Sequence, residues 1–288
     1  MHSENLRRGA YYMLGSAALF SAMGALVKLV SASLPNEMVV FFRSAAGLLA
    51  LLPWVWHRGG IATLRTRRLG GHLLRSSAGL AAMYCFFYAI ANMPLAEATL
   101  LNYSTPLFVP FIAFLWLGER VERGVLAAIA IGFAGILLIL KPGLGLFTGV
   151  ALVGLVSGVA AAFAMVGIRR LARSEPVTRI VFYFTALSAA VSVVPLAWSW
   201  RTPEPSLWVP LIAMGVLASV AQLLLTRAYA CAPAARVGPF TYATVVFAAL
   251  HGWMWWGEVP DVLSVLGAAL VGLGGILAIR RTGRLAPR

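Results

Sequence analysis

Apolar residues run along this chain in long, nearly unbroken blocks separated by short polar breaks. Ten blocks, at about 10–31, 37–56, 73–92, 95–117, 122–140, 149–168, 178–199, 207–230, 234–256 and 261–279, approach the ~20 residues that a helix needs to cross a bilayer. Alternation with a period of two, the mark of a membrane β-barrel, is missing. The pattern predicts an all-α polytopic membrane protein with ten transmembrane helices and no separate soluble domain. The first block follows Arg7 and Arg8 and ends near small residues, as a signal peptide would. It is longer than a usual signal core and nine blocks follow it, so it reads as an uncleaved first span.

Composition narrows the class. Of the 288 residues, 61% are hydrophobic and only 11% charged, against ~25% charged in a soluble domain. The net charge is nevertheless +14. Basicity alone would suggest a nucleic-acid partner, but the chain lacks the polar residues to build a soluble body around a basic stripe. Nucleic acid is therefore excluded as a partner, and disorder with it. Cys85 and Cys231, both inside apolar blocks, make no disulfide framework.

The positions of the basic residues carry topology. Nineteen of 23 fall at the N-terminus, in every second loop and in the tail, among them Arg58, Arg65, Arg67, Arg68 and Arg75 after the second block. The alternate loops hold only Lys141 and Arg201, while Lys28 and Arg43 lie within spans. Loops rich in Lys and Arg stay in the cytoplasm, which predicts both termini cytoplasmic and agrees with an even number of spans.

The two halves repeat each other. Pro94–Leu95–Ala96 returns as Pro233–Ala234–Ala235, Tyr103 as Tyr242, and Gly118–Glu119 as Gly257–Glu258. Gly132, Gly135–Ile136–Leu137 and Ile139 return as Gly272, Gly275–Ile276–Leu277 and Ile279. Lys28…Pro35 parallels Arg169…Pro176. The units, 9–141 and 149–282, hold five spans each. Because five is odd, the second unit enters the membrane from the opposite side, an inverted repeat of the kind that secondary transporters use.

These paired signatures resemble the EamA-type carriers of the drug/metabolite transporter superfamily. The likeness covers essentially the whole chain, through Ala89…Met93–Pro94–Leu95–Ala96–Glu97–Ala98–Thr99…Pro106…Leu117–Gly118–Glu119 and Ala228…Ala232–Pro233–Ala234–Ala235…Gly257–Glu258, with Phe41–Phe42–Arg43 also fitting. The second unit departs at Val245, where the first has Pro106, so a proline bend is expected in the fourth span and not in the ninth. The resemblance implies ten helices around a central cavity and movement of small metabolites across a bacterial inner membrane. Its nearest branch by general likeness holds S-adenosylmethionine and riboflavin importers and exporters of opine-type metallophores such as pseudopaline.

Charges inside spans are the first site candidates, since each costs about 2.5–3.5 kcal/mol at the bilayer centre on insertion scales. Lys28, Arg43 and Glu97 all belong to the outer half, so Arg43–Glu97 or Lys28–Glu97 is expected as an outer gate or as a carboxylate and amine site. Snorkelling is the alternative, above all for Lys28. A guanidinium suits bidentate capture of a carboxylate. Tyr84, Phe87 and Tyr88 share a helical face in the third span, as an aromatic wall or a packing stripe. In the fourth, Thr99, Asn102, Tyr103 and Pro106 share another, and Asn102–Tyr103 aligns with Thr241–Tyr242. Pro106 frees a carbonyl in mid-membrane, which a cavity would satisfy. The eighth span has a stripe of Ser219, Gln222, Thr226 and Tyr229, which holds helices together or binds a ligand. His251 is the proton-coupling candidate, its alternative an interfacial place beside Trp253, Trp255 and Trp256.

Rival classes fare worse. The Gly154–Leu155–Val156–Ser157–Gly158 run is not a Gly-x-Ser-Gly nucleophile, His and carboxylates do not cluster as metal ligands, and no Gly-rich phosphate loop is present. Its glycine spacing, like that of Gly272–Gly275, is read as close helix packing. The expected function is export of a small amphipathic, amino-acid-like metabolite by a non-enzymatic carrier, with uptake of S-adenosylmethionine or riboflavin as the alternative. An intramembrane enzyme, a channel and a lipid flippase are the remoter readings. No cofactor or metal is expected. The expected partners are the small-molecule substrate and the lipid bilayer, with a homodimer left open.

Overall fold

The computed structural model describes residues 6–57, 59–117, 123–140, 149–171, 174–231 and 238–282. Among them the chain is helical throughout, with no strand. Helix is the only open-ended way to pair every backbone N–H and C=O where water is missing. The helices are α1 (Leu6–Ser31), α2 (Asn36–His57), α3 (Leu69–Asn92), α4 (Leu95–Asn102), α5 (Thr105–Leu117), α6 (Arg123–Leu140), α7 (Gly149–Leu171), α8 (Val177–Val193), α9 (Leu196–Ser199), α10 (Trp208–Cys231), α11 (Ala243–Trp256) and α12 (Val262–Thr282). Among the described residues six helical stretches are long and apolar enough to cross a membrane: Arg7–Ser31, Asn36–His57, Leu69–Asn92, Leu95–Trp116, Gly149–Ile168 and Pro205–Leu225. Gly118–Glu119, Arg236 and the side chains of Arg169, Thr226 and Tyr229 lie outside the described residues.

The packing is symmetric under exchange of the repeats. Helix α1 runs along α10 as α3 runs along α7, and α2 meets α10 as α8 meets α3. The first repeat's α2 meets its counterpart α8, and α6 meets its counterpart α12. Small residues make these approaches. A Cβ on Gly135 would stand 2.6 Å from the Gly267 carbonyl oxygen, and one on Gly267 2.7 Å from that of Gly135. Of the expected Gly272–Gly275 pair, Gly275 packs closely against Tyr242 while Gly272 faces open space, and the α6–α12 seam itself uses Gly267 and Gly274.

The fourth span does bend, but not by the expected route. The helix stops after Asn102, and Pro106 becomes the second residue of α5, where its missing N–H costs nothing. The freed carbonyls are satisfied from within: the Ser104 hydroxyl donates to Leu101 O (2.5 Å) and the Thr105 hydroxyl to Asn102 O (2.7 Å). Side chains, not a cavity, thus take the carbonyl that Pro106 releases. The ninth span changes geometry too, despite Val245: a 3₁₀ turn, Gly238–Tyr242, leads into α11. Both repeats therefore depart from α-helix at the aligned pairs Asn102–Tyr103 and Thr241–Tyr242.

Candidate functional site

Two polar clasps close opposite ends of α3, a helix of 24 residues and thus about 36 Å. At its C-terminal end, Gly257 terminates α11 with a left-handed φ of 66°. The turn folds Glu258 back over Gly252, whose missing side chain leaves room: a Cβ there would meet Glu258 Oε2 at 2.7 Å. Glu258 then accepts the Leu95 N–H (2.8 Å) at the start of α4 and forms an ion pair with Lys28. Lys28 also donates to Met93 O (2.8 Å) and sits 5.6 Å from the Trp256 ring centre. Lys28 is thus held by three groups, not snorkelling.

Glu97, expected to pair with Lys28 or Arg43, instead accepts a hydrogen bond from the Ser264 hydroxyl (2.6 Å). The reason is helical phase. Glu97 points from α4 toward α12, while the α11–α12 turn delivers Glu258 to Lys28 from the other repeat.

The second clasp lies at the N-terminal end of α3. Arg179 on α8 donates to Glu175 Oε2 (2.6 Å) and, through Nε and Nη2, to Thr63 O (2.8 and 2.6 Å). Thr66 donates to Glu175 Oε1 (2.7 Å), and Tyr183 to Leu64 O (3.1 Å). His72 stacks on Tyr183 with ring centres 4.5 Å apart, its Nε2 3.6 Å from Glu175 Oε2. Burial by itself would raise the Glu175 carboxyl. The hydrogen bonds from Arg179 and Thr66 and the nearby charges outweigh it and hold that carboxyl below its ordinary value.

Between the clasps lies the feature that the sequence pattern concealed. Arg75, counted with the basic loop, is only 6% exposed. Its guanidinium carbon is 4.0 Å from the Phe184 ring centre, and that of Arg43 is 5.7 Å from the same point. Arg75 Nε and Nη1 and Arg43 Nε are buried without a hydrogen-bond partner, and no carboxylate among the described residues pairs with either side chain. The two cations lie within roughly 10 Å of each other, a repulsion of roughly 1.7 kcal/mol at an effective dielectric of about 20. Gly167 makes room for the Arg75 stem, and Gly79 for the Phe184 ring and Arg75 Nη1.

The remaining candidates scatter. Phe87 is buried in the core and Tyr88, 100° further round the helix, is 43% exposed, so the aromatic wall does not form. Tyr84 is half-buried against the core, and its carbonyl accepts from Asn36 (3.0 Å). Asn102 is not free: its amide donates to Ser157 (3.1 Å), whose hydroxyl donates to Gly154 O (2.6 Å). Ser157 is thereby a packing residue between the α4–α5 break and α7. Tyr103 lies in that break beside Thr244. The Tyr242 hydroxyl is buried without a partner against Gly275. Gln222, Ser219 and Thr178 line a cavity of about 10 Å³, room for one water at most. A larger hollow of about 420 Å³, lined by Leu74, Ala78, Trp116, Ala160 and Phe163, is wholly apolar. His251 keeps an edge-to-face contact with Trp255, ring centres 5.8 Å apart, and also turns toward α1. Its Nδ1 lies 3.0 Å from the Ser21 hydroxyl on α1 and 2.7 Å from Phe247 O. Trp253 and Trp255 remain exposed.

Among the described residues no three His, Cys, Asp or Glu side chains gather as metal ligands. Arg75, Phe184, Glu175 and Glu258 were all missed as site residues. Of these, only Glu258 left a trace in the sequence, as half of the repeated Gly–Glu pair.

The EamA-like transporter family profile matches the chain twice, over residues 7–141 and 148–280. The chain is 39% identical over 280 residues to the pseudopaline exporter CntI of Pseudomonas aeruginosa (strain UCBPP-PA14), covering 96% of this chain and 97% of the relative. It is 28% identical to a riboflavin transporter of Vibrio cholerae, covering 92% and 90%. It is also 28% identical to an S-adenosylmethionine uptake transporter of Rickettsia bellii, covering 91% and 90%. A crystal structure at 21% identity superposes with a TM-score of 0.66, covering 97% of this chain and 99% of the other, and so shares the fold. The repeated family match, the apolar helices and full-length likeness to transporters make this a multi-pass protein of the bacterial inner membrane. The chain belongs to the EamA-like transporter family.

Proposed function

We propose that the protein is a secondary transporter that exports a small amphipathic, amino-acid-like metabolite by alternating access, with an opine-type metallophore such as pseudopaline as the narrowest reading. The reading takes the ten apolar blocks as ten spans, the repeats as inverted five-helix units and both termini as cytoplasmic. The symmetric packing and the bias of basic residues support it. One observation carries it: each clasp joins one repeat to the other, and the clasps sit at opposite ends of α3. Lys28 of the first repeat holds Glu258 of the second, while Thr63 and Thr66 of the first hold Arg179 and Glu175 of the second. Releasing one clasp while the other holds opens the bundle to one side only, which is what alternating access requires.

In this reading Lys28–Glu258 is the periplasmic gate. Tyr84, Tyr103, Gln222 and Tyr242 provide the sparse polar lining, and His251, bridging α1 and α11, is the proton-coupling group. Export is favoured because the relative at 39% identity is named an exporter, whereas those named for riboflavin and S-adenosylmethionine stand at 28%. The test compares small metabolites inside and outside a deletion strain and the same strain carrying the gene. Export predicts a metabolite retained inside the deletion strain. Depletion of one inside reverses the direction, and identical profiles refute transport.

A further inference from the structure

We propose that Arg43 and Arg75 form an anion site inside the bundle, built to hold two carboxylates of the transported metabolite. The proposal rests on the carrier reading and adds to it the charge class of the cargo. A guanidinium buried for structural reasons finds a carboxylate or a set of carbonyls, because an unpaired buried charge is costly. Arg179 shows what this looks like here, with Glu175 and Thr63 O as partners. Arg43 and Arg75 have no such partner among the described residues, and Arg75 is only 6% exposed.

The Phe184 face attracts one cation, but it does not explain two of like charge directed at one ring. Helices α2 and α3 are successive spans, so Arg43, seven residues after Asn36, and Arg75, six after Leu69, approach Phe184 from opposite ends of the bundle. Both therefore lie between the two clasps. Three buried hydroxyls without partners lie on the same helices: Ser44 beside Arg43, Ser76 beside Arg75, and Ser188 one turn beyond Phe184. Two fixed cations with no counter-charge among the described residues match an incoming dianion. Two planar guanidinium forks suit two carboxylates, each held bidentately. The ring between them gives the carbon chain of an amphipathic substrate an apolar surface.

The test uses the full chain in detergent and follows its thermal unfolding with glutarate as the dicarboxylate probe. Glutaramide serves as its uncharged isostere, inorganic phosphate as a second anion, and sodium chloride at matched ionic strength as the salt control. We expect glutarate to raise the Tm saturably and glutaramide not to. Arg43→Gln and Arg75→Gln should each weaken glutarate binding at least tenfold, and Arg75→Lys should weaken it less. Without ligand, the Arg75→Gln protein should unfold no earlier than wild type, since it loses an uncompensated charge.

The carboxylate site is overturned if glutaramide or sodium chloride reproduces the shift, or if phosphate alone produces one. An undiminished glutarate shift in both Gln variants also overturns it. If Arg75→Gln lowers the ligand-free Tm yet binds glutarate normally, Arg75 is structural and the proposal fails. Failure of the carrier reading looks different. A deletion strain whose metabolite retention is rescued equally by wild type and by Arg75→Gln removes the anion site and leaves the carrier standing. A deletion strain with no altered metabolite removes the carrier.

Discussion

The Lys28–Glu258 clasp makes the sharpest quantitative prediction. Lys28 and Glu258 side chains are 12% and 19% exposed, so the pair is screened far less than a surface ion pair. Removing Lys28 as Met breaks the ion pair and the bond to Met93 O, leaving Glu258 with the Leu95 N–H alone. Hydrogen bonds to charged groups contribute about 1.5–3 kcal/mol each, and partial exposure puts the expected loss near the lower end, at about 2 kcal/mol. Glu258→Gln keeps the acceptor for Leu95 but not the charge, and should cost about as much. In the double variant neither charge is left stranded, so the losses should fall short of additivity by roughly 1–2 kcal/mol. The assay is equilibrium unfolding of the purified protein in mixed micelles, followed by tryptophan fluorescence. As an internal control, the coupling should be absent between Lys28→Met and Glu97→Gln, because Glu97 bonds Ser264 instead. A Lys28–Glu258 coupling energy below about 0.5 kcal/mol, the scatter of independent sites, would refute the clasp.

Other expectations follow from single contacts. Gly135→Ala puts a methyl 2.6 Å from Gly267 O and should cost about 1–3 kcal/mol in the same unfolding assay by prising α6 from α12. Glu175 is held below its ordinary pKa, so its bonds stabilise the fold fully above the carboxylate range and fade as the pH falls through it. Wild type should therefore lose stability as the pH falls below about 5, and Glu175→Gln should lose less of it there. Asn102→Ala removes the bond to Ser157 and should destabilise by about 1 kcal/mol while Tyr103→Phe leaves stability nearly unchanged. Flux unaffected by Tyr103→Phe would remove Tyr103 from the lining. His251→Gln should flatten the pH dependence of flux, and an unaltered profile would end its proton-coupling role.

The fold class could be read from the sequence because it rests on local quantities. Block length fixes what can span a bilayer, and the side on which Arg and Lys fall is a property of each loop alone. The repeat was equally visible, since Tyr103 and Tyr242 or the two Gly–Glu pairs need only an offset. Pair partners were not visible. Lys28, Arg43 and Glu97 were grouped because they share a depth, but depth leaves the angle around each helix open. The α11–α12 turn at Gly257, 160 residues beyond Glu97, supplies the partner of Lys28. Arg75 was misread for a related reason. A basic residue six positions into a helix looks like the end of a cytoplasmic loop until Gly167 and Phe184 from the other repeat close over it.

What the sequence by itself determined, then, was that this is a helical, twice-repeated membrane protein. Those properties arise from hydropathy, length and charge summed over neighbours in the chain. The two clasps, the unpartnered Arg43–Arg75 pair and the engagement of Asn102 by Ser157 were decided only when helices of the two repeats packed together. Each depends on where a side chain points across an interface between segments far apart in the chain. A side chain at Gly252 would crowd Glu258, and one at Gly167 the Arg75 stem, without altering the hydropathy pattern that specifies the spans.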